Sequence, residues 1–270
     1  MIDFDLKQKV EIDFKSDISK HPKCVHGPTL LFSRGGKKFY ACSAFRGRKD
    51  CDFYLEYGDK LSQKKMGIIK QKIKQLIEDN IHRDTFDIIA KVLNGKDETI
   101  SIRYCGTCDK VNCDIPEHNQ YLLKKSDLLK PSRILKPKSQ DKKEAQYFFS
   151  ESTTKFVIES IQRMKFTNVL CVGCPSLYEN LPKNLQNNSI LWDIDGRLSN
   201  FYDSNKFLWG NFFNGHFFNG DSSSTVFQNF LINCDKLLII VDPPFGAKTE
   251  LINFAINQVK EKLGRSNIPI

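Results

Sequence analysis

An Asp-Pro-Pro-Phe tetrad at residues 242–245 directly follows the apolar run 237–241. An apolar run that stops at two prolines predicts a buried parallel strand, and open α/β sheets bind ligands at the carboxyl ends of such strands. There, an acid and a backbone carbonyl can accept both protons of an exocyclic adenine amine, and an aromatic ring can stack on the base. The candidate catalytic residues are Asp242, Pro243, Pro244 and Phe245. A strand that ends in an ordinary proline turn is the alternative interpretation.

Two groups of cysteine and histidine have the spacing of metal ligands. The first reads Cys-x-His-x15-Cys-x8-Cys and the second Cys-x2-Cys-x4-Cys-x4-His. Thiolates and imidazoles in such sets suit a tetrahedral Zn²⁺, and small β-units need such a metal to fold. The predicted ligands are Cys24, His26, Cys42 and Cys51 in the first group, and Cys105, Cys108, Cys113 and His118 in the second. Cysteines that merely pack are the alternative for both groups, and a redox pair is a further alternative for the second.

Basic and aromatic residues surround the first group. Gly35 and Gly36 are a hairpin signal, and the pairs at residues 39–40 and 53–54 are aromatic residues on predicted strands. Lysine and arginine beside exposed rings predict contact with phosphates and unpaired bases. The basic residues are Arg34, Lys37, Lys38, Arg46, Arg48 and Lys49. A charge run of this kind is also typical of a solvated face.

Two further segments predict a nucleoside-binding sheet. Residues 168–173 read as a first strand and its tight turn, and residues 189–193 read as a second strand. Asp193 lies twenty residues after Gly173, about the distance at which an acid reaches a nucleoside ribose in doubly wound folds. Asp195 is also available, but Asp193 ends the apolar run. Only one glycine is present in the turn, so the glycine-rich fingerprint is degenerate. Asn211 is expected to place an amide beside the adenine ring of a cofactor.

These motifs together resemble a known family. The tetrad resembles motif IV of S-adenosylmethionine-dependent N6-adenine methyltransferases, and residues 146–153 resemble the Gln-Tyr-containing cofactor motif of those enzymes. The first Cys/His group resembles a GRF-type zinc finger. From Lys23 onward, the order of motifs is similar to that of the zinc-finger CCHC-domain ribosomal-RNA N6-adenosine methyltransferase family. The predicted cofactor-binding residues are Gln146, Tyr147, Phe149, Ser150, Thr153, Gly173, Asp193, Asn211 and Asp242.

The resemblance implies a complete set of expectations about function. The cofactors would be S-adenosylmethionine and two Zn²⁺ ions, and the substrate would be an unpaired or flipped adenosine in large-subunit ribosomal RNA. Ribosome-assembly proteins are further expected partners. The expected location is the nucleus and nucleolus, with the cytoplasm as an additional site. Two alternatives remain: a catalytically inactive RNA-binding fragment, and an N6-adenine methyltransferase that acts on DNA, because the tetrad does not identify the sugar.

Charge and composition divide the chain into a basic and a neutral part. Residues 1–143 carry 30 Lys+Arg against 20 Asp+Glu, whereas residues 144–270 carry 11 against 12. A strongly basic half predicts a polyanionic partner. The predicted segments are an N-terminal tail 1–19, the GRF-type finger 20–60, a helical segment 61–98, a second zinc unit 99–121, a mobile basic linker 122–143 and a methyltransferase domain 144–270.

The predicted fold class is α/β, with a Rossmann-like class I methyltransferase domain preceded by small zinc-stapled β modules and helices. Ile270 lies only 25 residues past Phe245, whereas the family continues with further strands and a C-terminal knuckle. We therefore expect an incomplete sheet. The sequence contains neither an 18-residue apolar stretch nor a signal pattern, which predicts a soluble intracellular protein without a membrane partner.

Overall fold

The computed structural model describes residues 10–45, 50–80, 83–95, 101–136, 149–244 and 246–264. Six residues with predicted roles lie outside these ranges, and their predictions rest on the sequence alone. They are Arg46, Arg48, Lys49, Gln146, Tyr147 and Phe245.

The finger (residues 20–60) is built on antiparallel strands. Its sheet has the order β1-β4-β5-β6, and β2 and β3 form a separate short hairpin. The predicted turn at Gly35 and Gly36 joins β4 to β5 with positive φ angles at both glycines. The strands are β1 (Glu11–Asp13), β2 (Lys23–Cys24), β3 (Gly27–Pro28), β4 (Leu30–Arg34), β5 (Lys37–Ala41) and β6 (Tyr54–Glu56).

Strand β1 corrects the prediction of an N-terminal tail (residues 1–19) for the described residues 10–19. Glu11 to Asp13 pair with β4, and Ile12 and Phe14 pack against the core of the C-terminal domain. The Phe14 ring also stacks on Phe254 with the ring centroids 4.7 Å apart. These apolar side chains fix the segment in place. The sequence does not indicate this packing, because charged residues separate the apolar ones.

The middle of the chain contains two helices and a second small sheet. Helices α1 (Gln63–Asn80) and α2 (Arg83–Leu93) lie within the predicted helical segment 61–98, and Gly95 has the positive φ of a helix end. The second unit (residues 99–121) is centred on a three-stranded sheet of order β8-β7-β9. Its strands are β7 (Arg103–Cys105), β8 (Lys110–Val111) and β9 (Gln120–Leu122).

The described part of the predicted mobile linker is packed. Helix α3 (Lys125–Leu128) and a 3-10 turn (Pro131–Arg133) follow the second unit. Leu128 and Leu135 are only 2% and 4% exposed, and the Ser132 backbone N–H donates to Glu179 Oε1 over 2.9 Å. The prediction of a mobile basic linker is therefore wrong for residues 122–136. The many lysines of this stretch indicated a solvated segment, whereas Leu128 and Leu135 are buried.

The C-terminal α/β domain is organised around a five-stranded sheet of order β13-β12-β11-β10-β14, in which only β13 is antiparallel. This arrangement confirms the predicted fold class, with β10, β11 and β14 at the predicted positions. The elements are α4 (Glu151–Arg163), β10 (Asn168–Val172), α5 (Pro175–Asn180), α6 (Lys183–Gln186), β11 (Ile190–Asp193), β12 (Phe207–Asn211), β13 (His216–Phe217), α7 (Asp221–Ile232), β14 (Leu237–Val241) and α8 (Thr249–Leu263).

The two faces of this sheet are covered by different parts of the chain. Side chains alternate along β10, so Val169 belongs to one core cluster and Leu170 to the other. Helices α2 to α6 and Tyr104 of the second unit cover the first face. Helices α7 and α8 and Leu30 of the finger cover the second face. Within the described ranges, no helix combines the length and apolar character needed to cross a membrane.

Candidate functional site

The carboxyl ends of β10 and β14 form the crevice in which open α/β sheets bind ligands. Strand β10 pairs with β11 on one side and with β14 on the other, so the order of connection reverses between β10 and β14. Gly173 follows β10 and Asp242 follows β14. A Cβ atom on Gly173 would lie 2.6 Å from the Asp242 carbonyl oxygen, and Gly173 has a φ of +68°. Only glycine fits at position 173. This explains why a glycine is present here although the other glycines of the glycine-rich fingerprint are absent.

Asp242 and its prolines lie at this crevice, as their position after β14 predicted. The Asp242 backbone N–H donates to Val172 O over 2.9 Å, and the Ala247 N–H donates to Pro244 O over 2.8 Å, which closes the turn. The side chains of Asp242, Pro243 and Pro244 are half-buried. Burial raises the pKa of the Asp242 carboxyl to about 6. The group is therefore ionised at neutral pH and is able to accept hydrogen bonds from an amine.

Asp193 lies next along the same edge, at the end of β11. It is only 5% exposed, and its Oδ1 accepts the Asp195 backbone N–H over 2.8 Å. Hydrogen bonding with Cys171, burial, and the charges of Asp242 and Asp193 all raise the pKa of the Cys174 thiol. Cys174 and Cys171 are buried and lie outside both metal-ligand groups.

The predicted Ser150 and Thr153 form the N-terminal cap of α4. Ser150 Oγ accepts the Thr153 backbone N–H over 3.2 Å, and the two side-chain oxygens are 2.9 Å apart. Phe149 packs against the first core cluster. Helix α4 contacts α5, which begins directly after Gly173 and Cys174. The roles of these three residues in cofactor binding remain predictions.

The eight predicted metal ligands come together in two groups. Within each group the ligand atoms all lie within 4.8 Å of one another. In the first, Cys42 Sγ is 3.6 Å from His26 Nδ1; in the second, Cys105 Sγ and Cys113 Sγ are 3.6 and 3.4 Å from His118 Nδ1. Tetrahedral zinc, with Zn–S about 2.3 Å and Zn–N about 2.0 Å, requires ligand separations of this size. Both groups therefore fit Zn²⁺, and Cys113 occupies the fourth position of the second.

Comparison with known proteins identifies the C-terminal domain. Residues 140–268 match the family model of a probable N6-adenine methyltransferase. The match covers nearly the whole α/β domain and shows that this domain is similar to that family.

Similarity to curated relatives extends over most of the chain. This chain is 34% identical over 280 residues to the rRNA N(6)-adenosine-methyltransferase ZCCHC4 of Xenopus tropicalis. The alignment covers 94% of this chain and 57% of that relative. The protein of the same name from Homo sapiens is 33% identical over 251 residues, with 85% and 48% covered. The chain therefore spans about half the length of the curated relatives it matches.

Asn211 joins the methyltransferase domain to the finger. Its side-chain amide donates to His26 O over 3.1 Å and to Ser43 Oγ over 2.7 Å, while its Oδ1 accepts the Phe213 N–H over 3.2 Å. The residue is 1% exposed. Both amide hydrogens and the carbonyl oxygen are thus occupied, so the structure corrects the expectation that this amide lies beside the adenine ring of a cofactor.

Two residues without a predicted role complete the contact between finger and methyltransferase domain. Asn214 donates to His26 O over 3.0 Å and to Pro28 O over 2.7 Å. Gly27 has a φ of +94°, and a Cβ atom there would lie 2.4 Å from the His216 ring. The backbone beside the predicted zinc ligand His26 is therefore fixed directly to the loop after β12. No signal in the sequence marks this contact, because Asn214 lies 188 residues from His26 and 186 residues from Pro28 in the chain.

A cavity of about 450 Å³ lies elsewhere, between the N-terminal segment, the loop after β12 and helix α8. Its walls include Phe14, Phe213 and Phe254. Of the predicted cofactor-binding residues in the described ranges, none lines this cavity. The strand-end crevice remains the better candidate site, because it contains the acids and the close backbone approach that the chemistry requires.

Proposed function

We propose that this chain uses S-adenosylmethionine to methylate N6 of an adenosine in large-subunit ribosomal RNA. The observation that carries the proposal is the position of Asp242, which contacts the Gly173 turn at the strand-end crevice of an N6-adenine methyltransferase domain. The relatives from Xenopus tropicalis and Homo sapiens are named as ribosomal-RNA N6-adenosine methyltransferases. Those names favour RNA over DNA as the substrate.

The residues of the crevice divide the chemistry between them. S-adenosylmethionine, when bound, supplies an electrophilic methyl group on a sulfonium. Asp193 would bind the ribose hydroxyls of this cofactor. The Asp242 carboxylate and the Pro243 carbonyl accept the two N–H groups of the adenine amine, which turns the nitrogen lone pair outward. The amine nitrogen would form its bond to the methyl carbon as the methyl–sulfur bond breaks and S-adenosylhomocysteine leaves. Asp242 would accept the proton that N6 then releases, and Phe245 would stack on the base.

The zinc units extend this proposal to the RNA. We propose one Zn²⁺ in each Cys/His group, held by the eight predicted ligands. Tyr54 and Tyr57 on the finger are 44% and 59% exposed, and Lys38 Nζ lies 5.8 Å from the centre of the Tyr57 ring. Exposed rings beside lysines support stacking on unpaired bases and contact with phosphates. A nuclear and nucleolar location and ribosome-assembly partners complete the proposed setting.

The substitution Asp242→Ala tests the proposed function. The variant should lose transfer of labelled methyl groups to ribosomal RNA while keeping its zinc content and its thermal midpoint. Mass spectrometry of the digested RNA should find N6-methyladenosine only with the unchanged protein and with a control, Glu250→Gln, at the exposed start of α8. Methylation retained by Asp242→Ala would contradict the assigned role. Preference for a matched DNA strand over the RNA would favour the DNA alternative.

A further inference from the structure

The buried arginine Arg197 lies four residues after the proposed ribose-binding acid Asp193. Its side chain is 10% exposed. Arg197 Nε lies 3.0 Å from Asp195 Oδ1 and 3.1 Å from Asp195 Oδ2, and Nη2 lies 2.5 Å from Oδ2. This two-pronged contact fixes both the position and the plane of the Asp195 carboxylate.

Asp195 in turn fixes the turn that contains Asp193. Its backbone N–H donates to Asp193 Oδ1 over 2.8 Å, and its own Oδ1 accepts the Arg197 backbone N–H over 3.1 Å. Gly196 lies so close to helix α1 that a Cβ atom there would be 2.7 Å from the side chain of Asn80. The turn from 193 to 197 therefore has little room to move towards helix α1.

The other end of Arg197 reaches the second unit. Its Nη1 donates to Asp109 Oδ2. Asp109 directly follows metal ligand Cys108 and has a φ of +63°, which is unusual for a residue other than glycine. Tyr104, which precedes ligand Cys105 and is fully buried, donates its hydroxyl to Asp109 Oδ1. The metal-ligand loop thus holds Asp109 in a single position facing Arg197.

Arg197 remains charged despite its burial. Desolvation lowers the pKa of its guanidinium to about 10, which is still far above neutral pH. Two carboxylates, Asp109 and Asp195, share this one cation. Removal of a partner from such a buried group leaves a charge without compensation, so the structure responds strongly to a change at any of the three residues.

We propose that Arg197 is a positioning residue for Asp193, and that the second zinc unit acts through Asp109 and Arg197 to set the affinity for the cofactor's ribose. The proposal rests on the proposed function, because the role of Asp193 belongs to it. Arg197 acts through Asp195 and need not touch the cofactor. The second unit then has a role besides any contact with RNA: it holds one wall of the cofactor crevice.

Calorimetric titration with S-adenosylmethionine tests this proposal on the full zinc-replete chain. Arg197→Lys keeps the charge but loses the two-pronged contact, and Asp109→Asn keeps the shape but removes the charge. Each should raise the Kd for the cofactor roughly tenfold, within the range typical of coupling between two sites. The control Arg133→Lys, whose contact with Glu151 is exposed, should leave the Kd unchanged.

Further readouts separate positioning from a general loss of structure. Both variants should raise the KM for the cofactor and leave kcat at saturating cofactor and the KM for RNA unchanged. They should also discriminate less than the unchanged protein between S-adenosylhomocysteine and its 2′-deoxyribose analogue, because that preference depends on the Asp193 carboxylate. In the double variant the two effects on Kd should be less than additive, since both act through one network.

The outcomes distinguish this proposal from the one on which it rests. If the unchanged protein binds S-adenosylmethionine and both variants bind it equally well, the positioning role is overturned while the proposed function stands. Weaker binding accompanied by lost zinc, or by incomplete folding at the temperature of the titration, in both variants would also overturn it, because the effect would then be structural. If the folded unchanged protein binds no cofactor, the proposed function fails, and the inference fails with it.

Discussion

The two zinc units attach to the methyltransferase domain by different physical means. The finger covers one face of the sheet and is fixed by neutral amides, Asn211 and Asn214, that donate to backbone carbonyls. The second unit covers the opposite face and is fixed by a buried ionic network around Arg197. The finger reaches the loop after β12 and the second unit reaches the turn after β11. Each unit thus supports a different part of the sheet's carboxyl edge. The finger does so through close packing and neutral hydrogen bonds, and the second unit through charged groups.

Loss of the metal from the finger should have the largest effect on this arrangement. Cys42→Ser removes one ligand, so we expect loss of one zinc equivalent together with up to about 10 kcal/mol of zinc-coupled folding free energy. Zinc analysis and denaturant unfolding measure both. The control Cys234→Ser, at a buried thiol outside both groups, should retain two zinc ions. Two zinc ions retained by Cys42→Ser would show that the first group is not a zinc site.

The second largest effect should come from one methyl group added at Gly27, where the finger packs closely against the methyltransferase domain. Gly27→Ala combines a left-handed φ with overlap against the His216 ring, so the free energy of unfolding should fall by about 2–5 kcal/mol. Gly36→Ala is the matched control, because it has a φ of +80° but no atom within 4 Å of the added Cβ. It should lose only about 1–2 kcal/mol. Equal losses in the two variants would show that the contact with His216 does not stabilise the protein.

The neutral hydrogen bonds should contribute less than the close packing. Asn214→Ala leaves two backbone carbonyls without their amide donor, and we expect a loss of about 1–3 kcal/mol in the free energy of unfolding. Because no charge is involved, the loss should be the same at low and high salt. Denaturant unfolding at two ionic strengths measures it, with Asn205→Ala at an exposed position as the control. A loss that shrinks with salt would contradict the neutral description of this attachment.

Sequence patterns were sufficient for the parts of the molecule that depend on local order. Apolar runs located β10, β11 and β14, and cysteine spacing located both ligand groups, because these features are written in neighbouring residues. Asn211 was misassigned because the atoms it binds are 168 and 185 residues away. The packed linker was missed for a different reason: Leu128 and Leu135 are few among many lysines, and only the tertiary structure shows that they are buried.

The smallest predicted effect is the pH dependence of methyl transfer. It depends on Asp242 and not on the contacts that attach the two units. The pKa of Asp242 is raised to about 6, and the carboxylate is the form that accepts hydrogen bonds from the amine. Methyl transfer should therefore be constant above neutral pH and should fall as pH decreases through about 6, to about one tenth of its plateau one unit lower. Initial rates well below saturation, which report kcat/KM and therefore the groups of the free enzyme, measure the profile. A rate unchanged down to pH 5 would contradict the proposed role of the ionised group.

The most direct test of the account is whether the carboxyl edge of the sheet binds S-adenosylmethionine. Calorimetric titration of the zinc-replete chain should show one bound cofactor, and the Asp193→Ala variant should lose that binding while it keeps its zinc content and thermal midpoint. This result would establish the crevice between β10, β11 and β14 as the cofactor site. No binding by the folded protein, or binding that survives in Asp193→Ala, would contradict the account.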